Sequence, residues 1–252
     1  MVIRTHGTNG LQKSSGPRRL TILALGAAGL LVAGSEVVPG PTVLAEAGGR
    51  APAAQGGAVL DRDQPVLRFS DLMQVGTSQL VRTPNGVNFK LRATGLEPGH
   101  AYTLWIVAFN ETAGCLEPTE ISFCGPSDVV SDAAQPDMMY AAGRIASGTG
   151  TATFAGHLGV GANSGSLNAP VGFPAYGLLD PYGAEIHLVV HHHGPKLPGF
   201  MPDMIQTVAG GCTDAGIPEA GVPSPFNEYM GPEYGRRGPN TCSTIYFAVH
   251  KP

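Results

Sequence analysis

Residues 101–110 read AYTLWIVAFN, and this stretch constrains the fold more than any other. On a strand, successive side chains point to opposite faces. Tyr102, Leu104 and Ile106 then share one face, and Trp105, Val107 and Phe109 share the other. A strand that is apolar on both faces belongs in the middle of a sheet, covered on each side. The rest of the chain must therefore supply one layer beneath this strand and another above it.

The flanking sequence offers further strands and little else. Residues 79–82 and 87–93 bracket Thr83-Pro84-Asn85-Gly86, and the Asn-Gly pair is a strong hairpin signal. Residues 139–147 and 151–158 are joined by Gly148-Thr149-Gly150. In the second of these arms Ala152, Phe154 and Leu158 alternate with Thr151, Thr153 and His157, which gives one core face and one polar face. Residues 185–191 and 244–249 read as two more strands. No helical period sustains itself after residue 58. The 36 glycines and 22 prolines fall largely between short strands, the punctuation of an all-β fold. We expect a single antiparallel β-sandwich over residues 58–252. Residues 194–241, with eight prolines and nine glycines, are its exception. A loop that long in a compact domain is normally functional or disordered.

The N-terminus reads as an export signal. Arg4, Lys13, Arg18 and Arg19 precede an apolar run over residues 20–33, about 14 residues long and shorter than the roughly 20 needed to span a bilayer. Ala45-Glu46-Ala47 supplies the small-x-small pattern of a cleavage site. Residues 1–47 are thus expected to be a signal peptide, and residues 48–57, GGRAPAAQGG, a flexible linker. Arg18-Arg19 raises twin-arginine export, but only Leu20-Thr21 of that pattern follows, so general secretion fits better. Cleavage would leave 11 Lys and Arg against 17 Asp and Glu, a formal charge of −6. Arg236-Arg237 is then the one adjacent basic pair, which argues against a nucleic-acid partner. No later stretch of 18 apolar residues exists, so no integral membrane segment is expected after cleavage.

Four cysteines, Cys115, Cys124, Cys212 and Cys242, all lie beyond the leader. An even number in an exported chain reads as disulfides. Short loops close at the lowest entropic cost, which favours Cys115–Cys124 and Cys212–Cys242 among the three pairings. The second bridge would staple the long C-terminal loop.

Residues 185–195, EIHLVVHHHGP, carry the most suggestive chemistry. Alternation puts Ile186, Leu188 and Val190 on the core face and turns Glu185, His187, Val189, His191 and His193 away from it. His191 and His193 would stand roughly 7 Å apart, close enough for two imidazoles to grip one copper or zinc ion, whereas His187 lies about 13 Å from His191. A metal site needs three or four ligands. His157 and His250 are expected to point away from the core on their own strands, and could complete the shell if those strands are neighbours. Gly194-Pro195 is expected to end the strand, and His100, in a turn, to make a hydrogen bond. Glu111, Glu117, Glu120 and Asp128, around the first disulfide, could hold calcium, but spaced carboxylates in a surface loop read first as hydrated. Nucleophilic catalysis finds no support: GANSGSLNA lacks the G-x-S-x-G register, and no GxGxxG or P-loop pattern is present.

Two stretches, LRATGLEPGHAYTLWIVAFN and GLLDPYGAEIHLVVHHHGP, resemble a group of uncharacterised exported bacterial proteins. These share the Gly-Leu-x-Pro-Gly-His turn and a His-strand ending in His-Gly-Pro. The His-strand is also similar, more faintly, to that of chordin-type (CHRD) domains, related in pattern to copper/zinc superoxide dismutases. That resemblance implies an immunoglobulin-like or dismutase-like sandwich, with His191 and His193 at the positions of a copper-binding His-x-His. The dismutases' bridging histidine and zinc loop are not recognisable here. The expected function is an exported, disulfide-stabilised, non-catalytic binding or structural module with an extracellular ligand. The alternative is a copper- or zinc-binding protein built on the His-rich strand.

Overall fold

Each stretch with a period of two forms a strand. In chain order these are β1 (Val59–Arg68), β2 (Gln74–Thr83), β3 (Gly86–Ala93), β4 (His100–Phe109), β5 (Pro136–Ile145), β6 (Ala152–Gly159), β7 (Glu185–Pro195) and β8 (Ser243–His250). The computed structural model describes residues 57–163, 165–213 and 234–252. The expected leader at 1–47 and all but the last residue of the expected linker lie outside them, as does much of the long C-terminal loop.

The fold is mostly antiparallel β with little helix, as the alternation requires. The strands form one hydrogen-bonded sheet in the order β5-β4-β7-β8-β1-β2-β3-β6, with every neighbouring pair antiparallel. The two end strands, β5 and β6, are consecutive in the chain and approach each other, so the sheet nearly closes into a barrel. Two separately stacked sheets, the expected sandwich, are not what this order gives. Curling a single sheet hides its edges, which would otherwise expose unpaired backbone groups.

The interior is apolar and drawn from the whole sheet: Leu80, Leu91, Leu104, Phe154 and Leu188 are all fully buried there. One end is tied by Arg82. Its guanidinium donates to the carbonyls of Pro181, Ala184, His250 and Lys251 at 2.6, 2.8, 3.1 and 2.9 Å. A buried arginine is tolerable because its donors are satisfied.

A second core lies outside the sheet. Trp105, Val107 and Phe109, on the outer face of β4, pack with Cys124, Val129, Leu167, Val208 and Tyr234 of the connecting segments. The one α-helix among the described residues, α1 (Met201–Gln206), lies against β5. It comes so close at Gly143 that an added Cβ would sit 1.8 Å from the Ile205 carbonyl, so the position requires glycine. Tyr140 fixes the same contact by donating to Ile205 O at 2.6 Å. Among the described residues no helix is long and apolar enough to cross a membrane.

Both expected disulfides are present, Cys115–Cys124 and Cys212–Cys242. Strand β7 does not stop at His191. It runs through Gly194 to Pro195 because Gly194 adopts φ +81°, a left-handed conformation open to glycine. Asn240 Nδ2 then donates to the carbonyls of His193 and Pro195, each at 2.8 Å, and holds the extension in place.

Candidate functional site

Strand β7 lies between β4 and β8, and its two faces differ in kind. Ile186, Leu188 and Val190 point into the barrel, opposite Ala108, Ile106 and Leu104 of β4. Glu185, His187, Val189 and His191 pair with Phe109, Val107, Trp105 and Thr103 on the outer face. Alternation therefore assigns the faces correctly. The expectation that the histidine face is open to solvent is not met: His191 and His193 are both fully buried beneath the outer segments. The cover is the part of the chain that alternation cannot reveal.

His193 is completely engaged. Its Nδ1 lies 2.9 Å from Gly210 O, and since a carbonyl only accepts, Nδ1 carries the proton. Nε2 must then accept from Thr103 Oγ1 at 2.8 Å, and Thr103 Oγ1 in turn accepts from Trp105 Nε1 at 3.2 Å. Burial, with the His192 charge adding to it, pushes the His193 imidazole down to about 4 against the help of Gly210. His191 stacks on Trp105 with ring centroids 4.8 Å apart and meets the His193 ring edge-on at 5.0 Å. Its Nδ1 lies 3.3 Å from Thr244 Oγ1, while its Nε2 is buried without a hydrogen-bond partner. Burial, then the charges of His193 and His192, hold this imidazole well below its usual range. Both rings are therefore neutral at neutral pH.

The other three histidines go elsewhere. His187 sits on the outer face, donating Nε2–H to Glu185 Oε1 at 2.7 Å with its ring edge-on to Phe109. His250, expected to point away from the core, faces inward beside Tyr246 and Ala248. Asp61 at 2.6 Å and Ser78 at 2.8 Å satisfy its two nitrogens, which is why a polar residue is tolerated there. His157 is exposed, as expected, on β6, where its Nδ1 meets Asn88 Oδ1 at 3.1 Å. Among the described residues no three of the five gather on one point. His192 turns to the barrel face, as alternation requires, where it stacks on Tyr102 and bonds His100 at 2.8 Å.

Beside His187 the outer face opens into a cleft of about 420 Å³. Trp105, Val107, Phe109 and Val189 line it on the β4–β7 side, Phe247 and Val249 on the β8 side, and Ile121 on the segment closed by Cys115–Cys124. Glu185 is fully buried and does not line the cleft, but it anchors the far wall from behind. Its Oε2 accepts from Phe123 N at 2.8 Å, and its Oε1 from Cys124 N at 3.0 Å and from His187. Burial alone would raise the Glu185 carboxyl, but the His187 hydrogen bond and charge and the two amide donors outweigh it, so the group stays ionised. Asp128, expected to be hydrated, is buried and does similar work, accepting from the amides of Leu116, Glu117 and Gly125. Neither role could be assigned from sequence. The one available signal was an acidic residue leading a strand otherwise rich in aliphatic side chains.

No family model, no curated protein and no solved structure matches this chain.

Proposed function

We propose that this chain is exported and acts as a non-catalytic binding module, taking a small and largely apolar ligand in the cleft on the outer face of β4, β7 and β8. The cleft is the observation that carries the reading. At about 420 Å³ it falls within the roughly 300–1,000 Å³ of small-molecule sites, and its lining is largely apolar, with Glu120 its charged member and His187 among its few polar groups. Such sites use apolar walls for affinity and one or two polar groups for orientation. A ligand with one hydrogen-bonding group, placed to meet His187, fits this chemistry. Glu185 has both oxygens committed to the protein, so it serves as a structural anchor and not as a general base. Export rests on the leader pattern of residues 1–47, and two disulfides are compatible with an oxidising compartment.

The alternative, copper or zinc held by His191 with His193, finds less support. His193 has no free lone pair, and His157, His187 and His250 each have other partners.

Titration with aminoanthracene, an uncharged fluorophore of suitable size, tests the binding reading. A saturable rise in fluorescence is expected, and Val189→Asp, which places a charge on the cleft floor, should abolish it. Absence of saturation, or an equal response from Val189→Asp, would contradict the proposal.

A further inference from the structure

Above His191 lies the Cys212–Cys242 bridge. A ring nitrogen of His191 and the two sulfur atoms all lie within 4.8 Å of one another, and all three residues are buried. His191 Nε2 is the one buried imidazole nitrogen of the described residues that has no hydrogen-bond partner. An unpaired polar atom in a dry site carries a desolvation cost with nothing in the present arrangement to offset it.

We infer that this cluster is a latent zinc site, formed when the Cys212–Cys242 bond is reduced, with both sulfurs and His191 as ligands. Two thiolates and one imidazole suit zinc, leaving a fourth position for water or a ligand atom. Tetrahedral zinc–sulfur bonds of about 2.3 Å place two thiolates under 4 Å apart. The sulfurs need only part by the breaking of their own bond, with the backbone of β8 and the Cys212–Asn240 bridge left as they are. His193 stays outside the shell, because its Nδ1–H remains on Gly210 O.

The chemistry balances with a dithiol as reductant. The dithiol is oxidised to its own disulfide, and its two hydrogens pass to Cys212 Sγ and Cys242 Sγ. Zinc then displaces both thiol protons to solvent, and His191, already neutral, gives its lone pair without releasing a proton. Binding is therefore expected to tighten as pH rises.

The first disulfide supplies an internal control. Cys115, Cys124 and Asp128 are also grouped within 4.8 Å, but the Asp128 carboxylate already accepts three backbone amides. That pair of thiols therefore has a third ligand already largely committed to the backbone, unlike His191 Nε2.

The experiment uses the untagged chain, since appended histidines would bind zinc themselves. It is reduced with a trialkylphosphine, which becomes the phosphine oxide with water supplying the oxygen and the two thiol hydrogens. Iodoacetamide labelling is then followed at each cysteine by peptide mass, with and without zinc ions. Zinc is expected to slow labelling of Cys212 and Cys242 by at least about 100-fold and to leave Cys115 and Cys124 within about 2-fold, because a coordinated thiolate is not free to attack the reagent. His191→Ala should remove the protection, read as the ratio of labelling rates with and without zinc in the same variant. Equal rates with and without zinc would overturn the proposal, as would equal protection of both pairs or full protection in His191→Ala. Aminoanthracene binding by the oxidised chain is independent of all these outcomes, so failure here leaves the cleft reading standing.

Discussion

The two faces of β7 are both buried, yet they are buried by different means. Toward the barrel, Ile186, Leu188 and Val190 meet aliphatic partners from neighbouring strands, and the sheet that holds them is one continuous hydrogen-bonded ladder that nearly closes on itself. Toward the outside, Glu185, His187, His191 and His193 lie under two segments, each tied by a disulfide. The inner face needs only the hydrophobic effect. The outer face needs explicit partners: two amides for Glu185, Gly210 O and Thr103 for His193, and Thr244 for His191. Buried polar groups so arranged are costly to assemble, and their concentration on one side of one strand separates scaffold from site.

Truncation inside the barrel should break the scaffold without touching the site. Leu188→Ala is expected to lower stability by about 3–5 kcal/mol, the range for emptying a well-packed position. The denaturant midpoint should fall, while aminoanthracene affinity at low denaturant stays within about 2-fold of the parent. A large loss of affinity would mean the faces are coupled.

The two staples are ranked by loop length. From separations of 30 and 9 residues, chain-entropy arguments give about 3.6 kcal/mol for Cys212–Cys242 and about 2.6 kcal/mol for Cys115–Cys124. Paired Cys→Ser changes, compared by urea unfolding, check the order. Only loss of Cys115–Cys124, which closes the cleft wall, should weaken dye binding.

Acid should act on the outer face. His193 takes up its proton near pH 4 when folded, and an unfolded histidine does so near 6.5. Between those values the unfolded chain binds more protons, so stability falls as pH drops from 6.5 to 4 and this group contributes no further loss below that. For a fully buried ring the loss is on the order of 3 kcal/mol. His191, lowered for the same reason, adds in the same direction. Glu185 works differently: its carboxyl is held low, so its contribution is intact above the usual carboxylate range and fades below it. Urea midpoints at pH 7 and pH 4.5 test the first effect, and a flat profile would contradict the burial of His191 and His193.

The smallest effect sharpens the cleft. Glu185→Gln keeps the size but loses the charge that Phe123 N, Cys124 N and His187 all use. A loss of about 1.5–3 kcal/mol is expected, the range for hydrogen bonds to a charged group. Aminoanthracene binding should weaken several-fold as the wall loosens.

What the sequence disclosed follows the same division. The double-faced β4, the Asn85-Gly86 hairpin, both disulfides and the opposite placement of His192 were all legible, because period-two alternation and loop closure are local physics. Strand order was not, since β7 pairs with β4 and β8 across long separations that no local signal records. Alternation says which side chains share a face but not what covers it, so His191 and His193 were expected in solvent and lie in a second core. His250 was misplaced for a related reason. Its polarity suggested the outside, whereas Asp61 and Ser78, distant in sequence, let it face inward. Gly194-Pro195 read as a strand end because the support from Asn240 comes from 46 residues further along the chain.

The central claim is that the outer face of β4, β7 and β8 is the binding surface and the barrel its inert support. Amide chemical-shift mapping with aminoanthracene tests it most directly. The account predicts perturbations concentrated at Val107, Ile121, His187, Val189 and Phe247, with β2, β3 and β6 unmoved. Shifts centred on those three strands, or none at saturating probe, would contradict it.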